Sequence, residues 1–428
     1  METLIHNVTI YGEEAPFYGY MTIKDDTIQS IGKGDVSREM MKGALKIDGK
    51  GKWLIPGLIN THGHIGSSFL RGAGDDLPLQ TWLQTVMWPN EAKFDRETVL
   101  AAAELSMIEM IRSGTTTFLD FYHLAMPDVA ELILDRGVKG VLGRGMIGLC
   151  SKEEQDQKLQ DSLSLYDTYH GADNGRVSVV LAPHAPYTCP PDFLKRIADA
   201  ANNRGILLHT HCAESYKEVE DSYKEFGMHP IKQLESIGFF EQPALLAHVV
   251  HASEEELEIL SKNDVRVSHN LISNLKLGSG IAPLPAMLEK GITVGLGTDS
   301  TASNNTLDLF EELRMTALVH KGVAMDPTKI TANQAFKLAT SEGAKAVGLS
   351  DTGVIKEGYK ADFVLIDPNK PHLFPNERMH SHLVYAVKST DVTDVFIHGK
   401  QVMKDQQLTT IDQEKVLADC RNQLSKLM

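Results

Sequence analysis

The chain has 428 residues, which exceeds one ordinary domain and suits a barrel of about 250 residues with a smaller additional unit. Hydrophobic residues make up 42% of the chain, enough for a substantial buried core, and the formal net charge is −15. Because an acidic surface repels phosphate groups, we expect neither nucleic acid nor an anionic membrane as a partner.

The cysteines and the N-terminal residues bear on the cellular compartment. Cys150, Cys189, Cys212 and Cys420 are scattered and form no CxxC pair. This spacing predicts free thiols in a reducing cytoplasm. The N-terminal residues have no basic segment followed by an apolar run, so we predict no signal peptide. No apolar run of about 18 residues follows, and we predict a cytoplasmic protein.

Short strands are predicted at both ends of the chain. Leu4–Ile10 and Met21–Ile23 alternate apolar with polar residues, and strand patterns return after about residue 350. The later patterns are Gly353–Ile355, Ala361–Ile366 and Val392–His398. We predict that residues 1–55 and 350–428 combine into one small β domain that flanks the rest of the chain.

Between these ends, apolar β-branched runs alternate with helical stretches. The predicted strands are Leu54–Asn60, Thr115–Asp120, Val138–Gly143, Val177–Pro183, Ile206–His211, Ala244–Val249, Val265–His269 and Ile292–Thr298. The helical stretches include Arg96–Arg112, Pro191–Arg204 and Ser253–Lys262. This order predicts an α/β fold with a (β/α)8 TIM barrel over residues 56–349. A doubly wound sheet is the alternative, but it would gather the sites at a single crevice.

Candidate metal ligands follow several of these strands. His62 and His64 come after the first strand, and residues two apart in an extended segment face the same way. Alone, such a pair is more often two surface histidines. His211 ends the fifth strand and Asp299 follows the eighth, which a closed barrel places beside the first. Three histidines and an aspartate form a set suited to zinc, with iron as the alternative.

Other polar residues on the same rim are candidates for proton transfer. Glu214 lies three residues beyond His211, where it can act as a general acid or base, although glutamate is also common at a helix start. His248 ends the sixth strand and His184 the fourth, facing a substrate. We expect His209 to lie in the barrel interior, one layer below His211.

The motifs that carry these residues resemble the amidohydrolase superfamily, and within it the 5-methylthioadenosine/S-adenosylhomocysteine deaminases. They are PGLINTHGH, APHAPYT, HTHCAES, SHNLISNLKLGSGIAPL, GLGTDSTASNN and GVIKEGYKADFVLID. The resemblance implies a metal site, proton-transfer groups and substrate contacts. The implied metal ligands are His62, His64, His211 and Asp299, and the implied proton-transfer groups are Glu214 and His248. In the expected mechanism Asp299 joins His248 in accepting the proton of the hydroxide.

The resemblance also implies the substrate contacts. It places a ribose-binding carboxylate at Glu91, a stacking aromatic at Trp82 and a further contact at His184. Arg144 matches an arginine that binds the 5′ substituent or its carboxylate, whereas Lys158 departs from a second such arginine. Two-metal hydrolases of this architecture use a carbamylated lysine on the fourth strand. That strand contains no lysine here, so we predict one divalent metal per chain.

The expected reaction is hydrolytic deamination at C6 of adenosine-type nucleosides by metal-bound hydroxide. Candidate substrates are 5-methylthioadenosine, S-adenosylhomocysteine, adenosine and 5′-deoxyadenosine, and the products are an inosine-type nucleoside and ammonia. The alternative is a deaminase or chlorohydrolase of another N-heterocycle, such as guanine or a triazine. A further alternative is a non-catalytic barrel that has kept the fold as a binding or assembly module. We expect the chain to bind a small nucleoside as its substrate. We also expect it to form a homo-oligomer.

Overall fold

The computed structural model describes residues 2–12, 15–37, 40 and 45–427. Within these residues, the central sheet has eight parallel strands, hydrogen-bonded to one another in chain order. They are Leu58–Gly63, Thr115–Tyr122, Lys139–Met146, Val177–Pro183, Leu208–Cys212, Ala244–His248, Val265–His269 and Val294–Leu296. A bridge between Gly63 and Asp299 joins the two edges of the sheet. The predicted (β/α)8 TIM barrel is confirmed.

The first predicted barrel strand, Leu54–Asn60, is wrong in extent because this apolar run is divided between two sheets. Trp53–Pro56 pairs with Phe363–Ile366 outside the barrel, and Leu58–Gly63 begins the barrel. Gly57 separates the two strands, and a Cβ atom at this position would lie 2.1 Å from Thr116 Oγ1. His62 therefore lies inside the first barrel strand rather than after it.

Helices surround the barrel, and several of them begin at a residue whose side chain caps the helix. The longer ones are Arg96–Arg112, Met126–Arg136, Lys152–Tyr169, Pro191–Asn202, Tyr216–Phe226, Glu254–Lys262 and Leu309–Ala324. The shorter ones are Pro230–Ser236, Leu271–Lys276, Leu284–Glu289, Thr301–Asn304, Ala332–Leu338 and Ser341–Ala346. Asp95 accepts a hydrogen bond from the backbone of Thr98, and Ser151 forms a reciprocal capping box with Glu154.

Short helical turns fill several connections. After the first barrel strand they are Ile65–Leu70, Leu79–Trp82, Leu83–Met87 and Trp88–Glu91. Elsewhere they are Ala172–Gly175, Phe239–Glu241, Pro371–Leu373 and Ser389–Asp391. The segment Leu83–Met87 is a π-helix, a form that is common near functional sites. This helical segment after the first strand brings Trp82 and Glu91 to the rim of the barrel.

Both ends of the chain build a second, mixed sheet. Its strands, in order across the sheet, are Gln407–Leu408, Lys400–Lys404, Val392–Ile397, Phe363–Ile366, Trp53–Pro56, Glu2–Ile10, Phe17–Lys24 and Thr27–Lys33, with Leu45–Asp48 also paired to Glu2–Ile10. The predicted flanking β domain is confirmed as a sheet. The C-terminal part also contains the helices Met379–Tyr385 and Gln413–Leu427, which the strand pattern does not predict. The domain boundaries at residues 55 and 350 stay predictions.

The interior of the barrel is packed rather than open. Ile59, Leu119, Val141, Val180 and Leu245 are almost completely buried there. Open space for a ligand is therefore left at the rim, at the ends of the strands. No helix in the described part of the chain is both long and apolar enough to cross a membrane. The cytoplasmic location and the homo-oligomer stay predictions.

Candidate active site

A cavity opens at the C-terminal ends of the barrel strands, where TIM barrels carry their active sites. Most of the side chains that the sequence singled out line it: His64, Trp82, Glu91, His184, His211, Glu214, His248 and Asp299. His62 is fully buried at the same end of the barrel, against His64. Arg144 does not line the cavity.

Three histidines and one aspartate converge within this site. Asp299 Oδ1 lies 3.1 Å from His64 Nε2 and 3.4 Å from His62 Nε2. His211 Nε2 lies 3.4 Å from His64 Nε2. One ring nitrogen from each of these three histidines lies within 4.8 Å of the other two. One nitrogen each from His62 and His248 and a carboxylate oxygen of Asp299 also lie within 4.8 Å of one another. The structure thus brings together the four residues predicted as metal ligands.

Hydrogen bonds to backbone carbonyls fix two of these imidazoles. His211 Nδ1 donates to the carbonyl oxygen of His184 at 2.7 Å, and His64 Nδ1 donates to that of Phe121. A neutral imidazole carries its proton on one nitrogen only, so both Nε2 atoms present a lone pair. The backbone of neighbouring strands therefore orients these two side chains toward a common point.

His62 is oriented through His209, which lies in the barrel interior as predicted. His209 Nδ1 donates to the carbonyl oxygen of Leu245 at 2.8 Å, so its Nε2 can only accept. It accepts the N–H of His62 Nδ1 at 2.9 Å. The remaining nitrogen, His62 Nε2, has no hydrogen-bond partner among the described residues. Such a relay fixes both the tautomer and the orientation of a metal-binding histidine.

The arrangement fits a divalent metal ion. Burial lowers the pKa of His62 to about 4 and holds that of His211 well below its usual value, so both imidazoles are neutral. Burial also acts to lower the pKa of His64, but the neighbouring Asp299 carboxylate outweighs it and raises that pKa. Three imidazole nitrogens and a carboxylate oxygen thus face one another at the base of the cavity. Tetrahedral zinc, with Zn–N bonds of about 2.0–2.1 Å, separates its ligand atoms by about 3.4 Å. The observed separations of 3.1 and 3.4 Å match that spacing.

Two hydroxyl groups hold Asp299. The side chains of Ser273 and Ser303 donate to Asp299 Oδ2 at 2.6 and 3.0 Å, which leaves Oδ1 to face the histidines. The backbone of Asp299 has a φ of 62° and donates to the carbonyl oxygen of His62 at 3.0 Å. The Asp299 side chain is therefore fixed by these two hydroxyl groups.

Glu214 and His248, the predicted proton-transfer groups, lie next to each other beside this cluster. Burial raises the pKa of Glu214 to about 7, so its acid form is well populated at neutral pH. His248 Nε2 lies 3.9 Å from Glu214 Oε2. His248 Nδ1 donates to Asn274 Oδ1 at 2.8 Å, so Nε2 of the neutral imidazole is free to accept a proton. The pair can therefore both donate and accept protons at the cavity surface.

The rest of the cavity wall is mainly apolar. Its large apolar side chains are Leu79, Trp82, Leu83, Met87, Trp88, Ile147 and Leu277. Within this wall, Glu91 is a half-buried carboxylate whose pKa is raised by burial. Trp82 is anchored by its indole N–H, which donates to the carbonyl oxygen of Ala73 at 3.3 Å. The cavity wall thus presents a planar aromatic ring, that of Trp82, and a carboxylate, that of Glu91, which can accept hydrogen bonds from hydroxyl groups.

Arg144 and Lys158, at the two positions where the resemblance implies substrate-binding arginines, do not line the cavity. The third barrel strand runs on to Met146, so Arg144 lies within it. The Arg144 guanidinium pairs with the carboxylate of Asp161 at 3.2 Å. Lys158 Nζ donates to the carbonyl oxygen of Ile147 at 2.8 Å. The substrate contact predicted for Arg144 stays a prediction, and this pairing does not favour it.

Several site residues were not found from the sequence. Tyr187 lines the cavity, and its place in the APHAPYT motif was the available signal. Asn274 and Ser273 orient His248 and Asp299. Their signal was the stretch Ser268–Leu284 of the resemblance, which pointed to a site without assigning roles. His269, at the end of the seventh barrel strand, is buried and contacts His320, with 3.1 Å between the two Nε2 atoms.

Comparison with known proteins agrees with this arrangement. The model of the Amidohydrolase family matches residues 53–402. Over 422 residues the chain is 52% identical to the 5-methylthioadenosine/S-adenosylhomocysteine deaminase of Halalkalibacterium halodurans, covering 97% of this chain and 96% of the relative. Over 414 residues it is 44% identical to the 5′-deoxyadenosine deaminase of Methanocaldococcus jannaschii, covering 96% of each protein.

A solved structure shares the whole architecture. The crystal structure of an adenosine deaminase from Xanthomonas campestris with bound zinc matches with a TM-score of 0.91 and 30% identity, covering 99% of this chain and 98% of that chain. The family match extends over most of the chain, and the relatives cover nearly all of it. The resemblance predicted from the motifs is confirmed: this chain belongs to the amidohydrolase family.

Proposed function

We propose that this chain is a metal-dependent hydrolase that deaminates C6 of adenosine-type nucleosides. The observation that carries the proposal is the Glu214–His248 pair, 3.9 Å apart, beside the histidine–aspartate cluster in a cavity that also contains Glu91. The names of the two deaminase relatives support the same substrate class. Ring deamination needs an acid for the ring nitrogen, a base for water and room for a nucleoside.

The metal site is part of this proposal. His62, His64, His211 and Asp299 would hold one divalent ion, with zinc preferred over iron. A metal bound there supplies the Lewis acidity that makes water nucleophilic at neutral pH. The hydrogen bonds to His184, Phe121 and His209 keep the donor atoms in place.

The chain's own groups then move the protons. Glu214, with its pKa near 7, donates a proton to the ring nitrogen next to C6 and makes that carbon more electrophilic. His248 Nε2 accepts a proton from the attacking water. As the C6–N bond breaks, this proton reaches the amino nitrogen, which leaves as ammonia. The second proton of the water returns Glu214 to its acid form, and the oxygen remains on C6.

Ammonia release from a panel of heterocycles tests the proposal. We expect purified protein loaded with zinc to deaminate 5-methylthioadenosine, 5′-deoxyadenosine or adenosine. Guanine and a triazine serve as comparison compounds for the alternative function. Activity on guanine or the triazine, with none on any adenosine derivative, would establish the alternative and refute the nucleoside assignment.

Replacing Glu91 with alanine should damage the reaction of nucleosides selectively. A carboxylate can accept two hydrogen bonds from the cis-diol of a ribose, whereas a free base has no diol. The loss of a buried polar partner typically costs about 1–3 kcal/mol, or roughly tenfold to a hundredfold in kcat/KM. The measurement is kcat/KM of Glu91→Ala for adenosine and for 2′,3′-dideoxyadenosine, which lacks the diol.

The matched control for this variant is Glu97→Ala. Glu97 is an exposed glutamate near the start of the helix Arg96–Arg112 and does not line the cavity. We expect it to react like the wild type with both nucleosides. An equal loss for adenosine and the dideoxy compound in Glu91→Ala would remove the diol contact from the proposal.

The wild type should prefer nucleosides with an uncharged 5′ substituent. The cavity wall is mainly apolar, and Arg144 is paired with Asp161 outside the lining. A carboxylate on the substrate would therefore lack a charged partner, which typically costs at least about tenfold. We expect kcat/KM for 5-methylthioadenosine to exceed that for S-adenosylhomocysteine by this factor. Equal values, together with a selective loss for the latter in Arg144→Ala, would restore Arg144 as a substrate contact.

A further inference from the structure

Glu218 is a buried carboxylate that the reaction does not use directly. It is 3% exposed and lies in the first turn of the helix Tyr216–Phe226, behind the fifth barrel strand. It does not line the cavity. A carboxylate is seldom fully buried without partners, so its contacts indicate what it does.

Both oxygens of this carboxylate bind the turn that carries Glu214. Glu218 Oε1 accepts the backbone N–H of Ala213 at 2.9 Å, and Oε2 accepts that of Glu214 at 2.8 Å. A glutamate at this position of a helix usually reaches back to the capping residue, which here is Ser215. Glu218 also interacts with the backbone of Ser215, but its two short hydrogen bonds reach past the cap to the two residues before it.

The turn that it holds has an unusual backbone. Ala213 has a φ of 52°, a left-handed conformation that residues with a Cβ atom seldom adopt. The carbonyl oxygen of Ala213 accepts hydrogen bonds from Val250 and His251, both at 3.0 Å. Among the described residues, the backbone N–H groups of Ala213 and Glu214 are bound only by the carboxylate of Glu218. This conformation sets the direction in which the next side chain, Glu214, leaves the backbone.

We propose that Glu218 is a positioning residue for the deamination, whose carboxylate fixes the Ala213–Glu214 turn so that the Glu214 side chain projects into the cavity. The inference rests on the proposed role of Glu214 as the proton donor. A proton donor acts only within hydrogen-bond reach of its acceptor, and a displacement of about 1 Å can cost roughly a hundredfold in rate. Glu218 thus acts on the rate through Glu214, without contacting substrate.

The variant Glu218→Gln tests this role. The amide keeps one oxygen acceptor but turns an N–H donor toward the second backbone N–H, so one of the two bonds is lost. We expect kcat to fall by about tenfold to a hundredfold, with KM and bound zinc close to the wild type. If this variant does not fold, Glu218→Asp is measured instead, because its shorter side chain cannot reach both N–H groups.

The next unit of the barrel offers a matched control. Glu256 is also 3% exposed and occupies the same position in the helix Glu254–Lys262, where it accepts the backbone N–H of Ser253 at 3.0 Å. It caps its helix without contacting Glu214 or lining the cavity. Glu256→Gln should lower the unfolding temperature without lowering kcat. A comparable loss of kcat in both variants would mean that helix capping alone explains the effect.

A double-mutant cycle separates positioning from general stability. In a Glu214→Gln background, Glu218→Gln should have little further effect on kcat, because the group that it positions no longer transfers a proton. Multiplicative losses in the double variant would refute the inference. Near wild-type turnover by Glu214→Gln itself would instead refute the proposed function, so the two failures are distinguishable.

Discussion

Replacing His211 or Asp299 with alanine should abolish both metal binding and ammonia release. Each residue supplies one of four donor atoms that lie 3.1 to 3.4 Å from a neighbouring donor atom. The buried position of the site gives water little room to replace a lost protein ligand. We expect zinc content to fall from about one equivalent per chain to near zero, and turnover to fall to the detection limit. Elemental analysis after gel filtration measures the metal.

The control for this pair is His372→Ala. His372 Nε2 pairs with Asp391 Oδ2 at 2.8 Å, near the flanking sheet, so its loss removes an imidazole without touching the cavity. It should retain metal and activity. Removal of the metal from the wild type by a chelator should abolish activity, and addition of zinc should restore it. Two equivalents of metal at the active site of the wild type would contradict the single-metal prediction.

The convergence of the four predicted metal ligands could be expected from the sequence, because it follows from strand periodicity and strand order. His62 and His64 lie two residues apart in one strand and therefore share a face. Asp299 follows the eighth strand, which barrel closure places beside the first, and the bridge from Gly63 to Asp299 shows this contact. These rules need only the order of the strands, so an error in the ends of the first strand did not affect them.

The groups around the ligands could not be predicted, because they depend on register between strands. His209 orients His62 by donating to the carbonyl of Leu245 on the adjacent strand. The sequence placed His209 in the barrel interior but did not indicate which carbonyl it would meet. Similarly, Glu218 occupies the position of an ordinary helix-capping glutamate, and only the structure shows that its carboxylate binds Ala213 and Glu214.

Arg144 shows how a resemblance can identify a position without its contacts. The resemblance implies a substrate-binding arginine at the position of Arg144, in the third barrel strand. Its pairing with Asp161 arises from the helix Lys152–Tyr169, which packs against that strand. The direction of a long side chain depends on such neighbours, and these lie far away in sequence. The substrate contact of Arg144 therefore has to be decided by kinetics.

Glu214→Gln should retain the metal yet lose at least about a hundredfold in turnover. Glutamine keeps the shape of the side chain but cannot release a proton to the ring nitrogen, and acid–base groups contribute about 10²–10⁴-fold. None of the metal-ligand distances involves Glu214, so zinc content should match the wild type. The measurements are kcat on 5-methylthioadenosine and zinc per chain, with Glu256→Gln as the control.

The pH dependence gives this prediction a second, independent measurement. Burial raises the pKa of Glu214 to about 7, so the acid form that donates the proton is lost as pH rises above that value. In the wild type, kcat/KM should therefore decline on the alkaline side. Glutamine does not titrate, so this decline should be absent from the residual activity of the variant. A variant that keeps both its turnover and the alkaline decline would show that another group donates the proton, because neither property could then arise from Glu214.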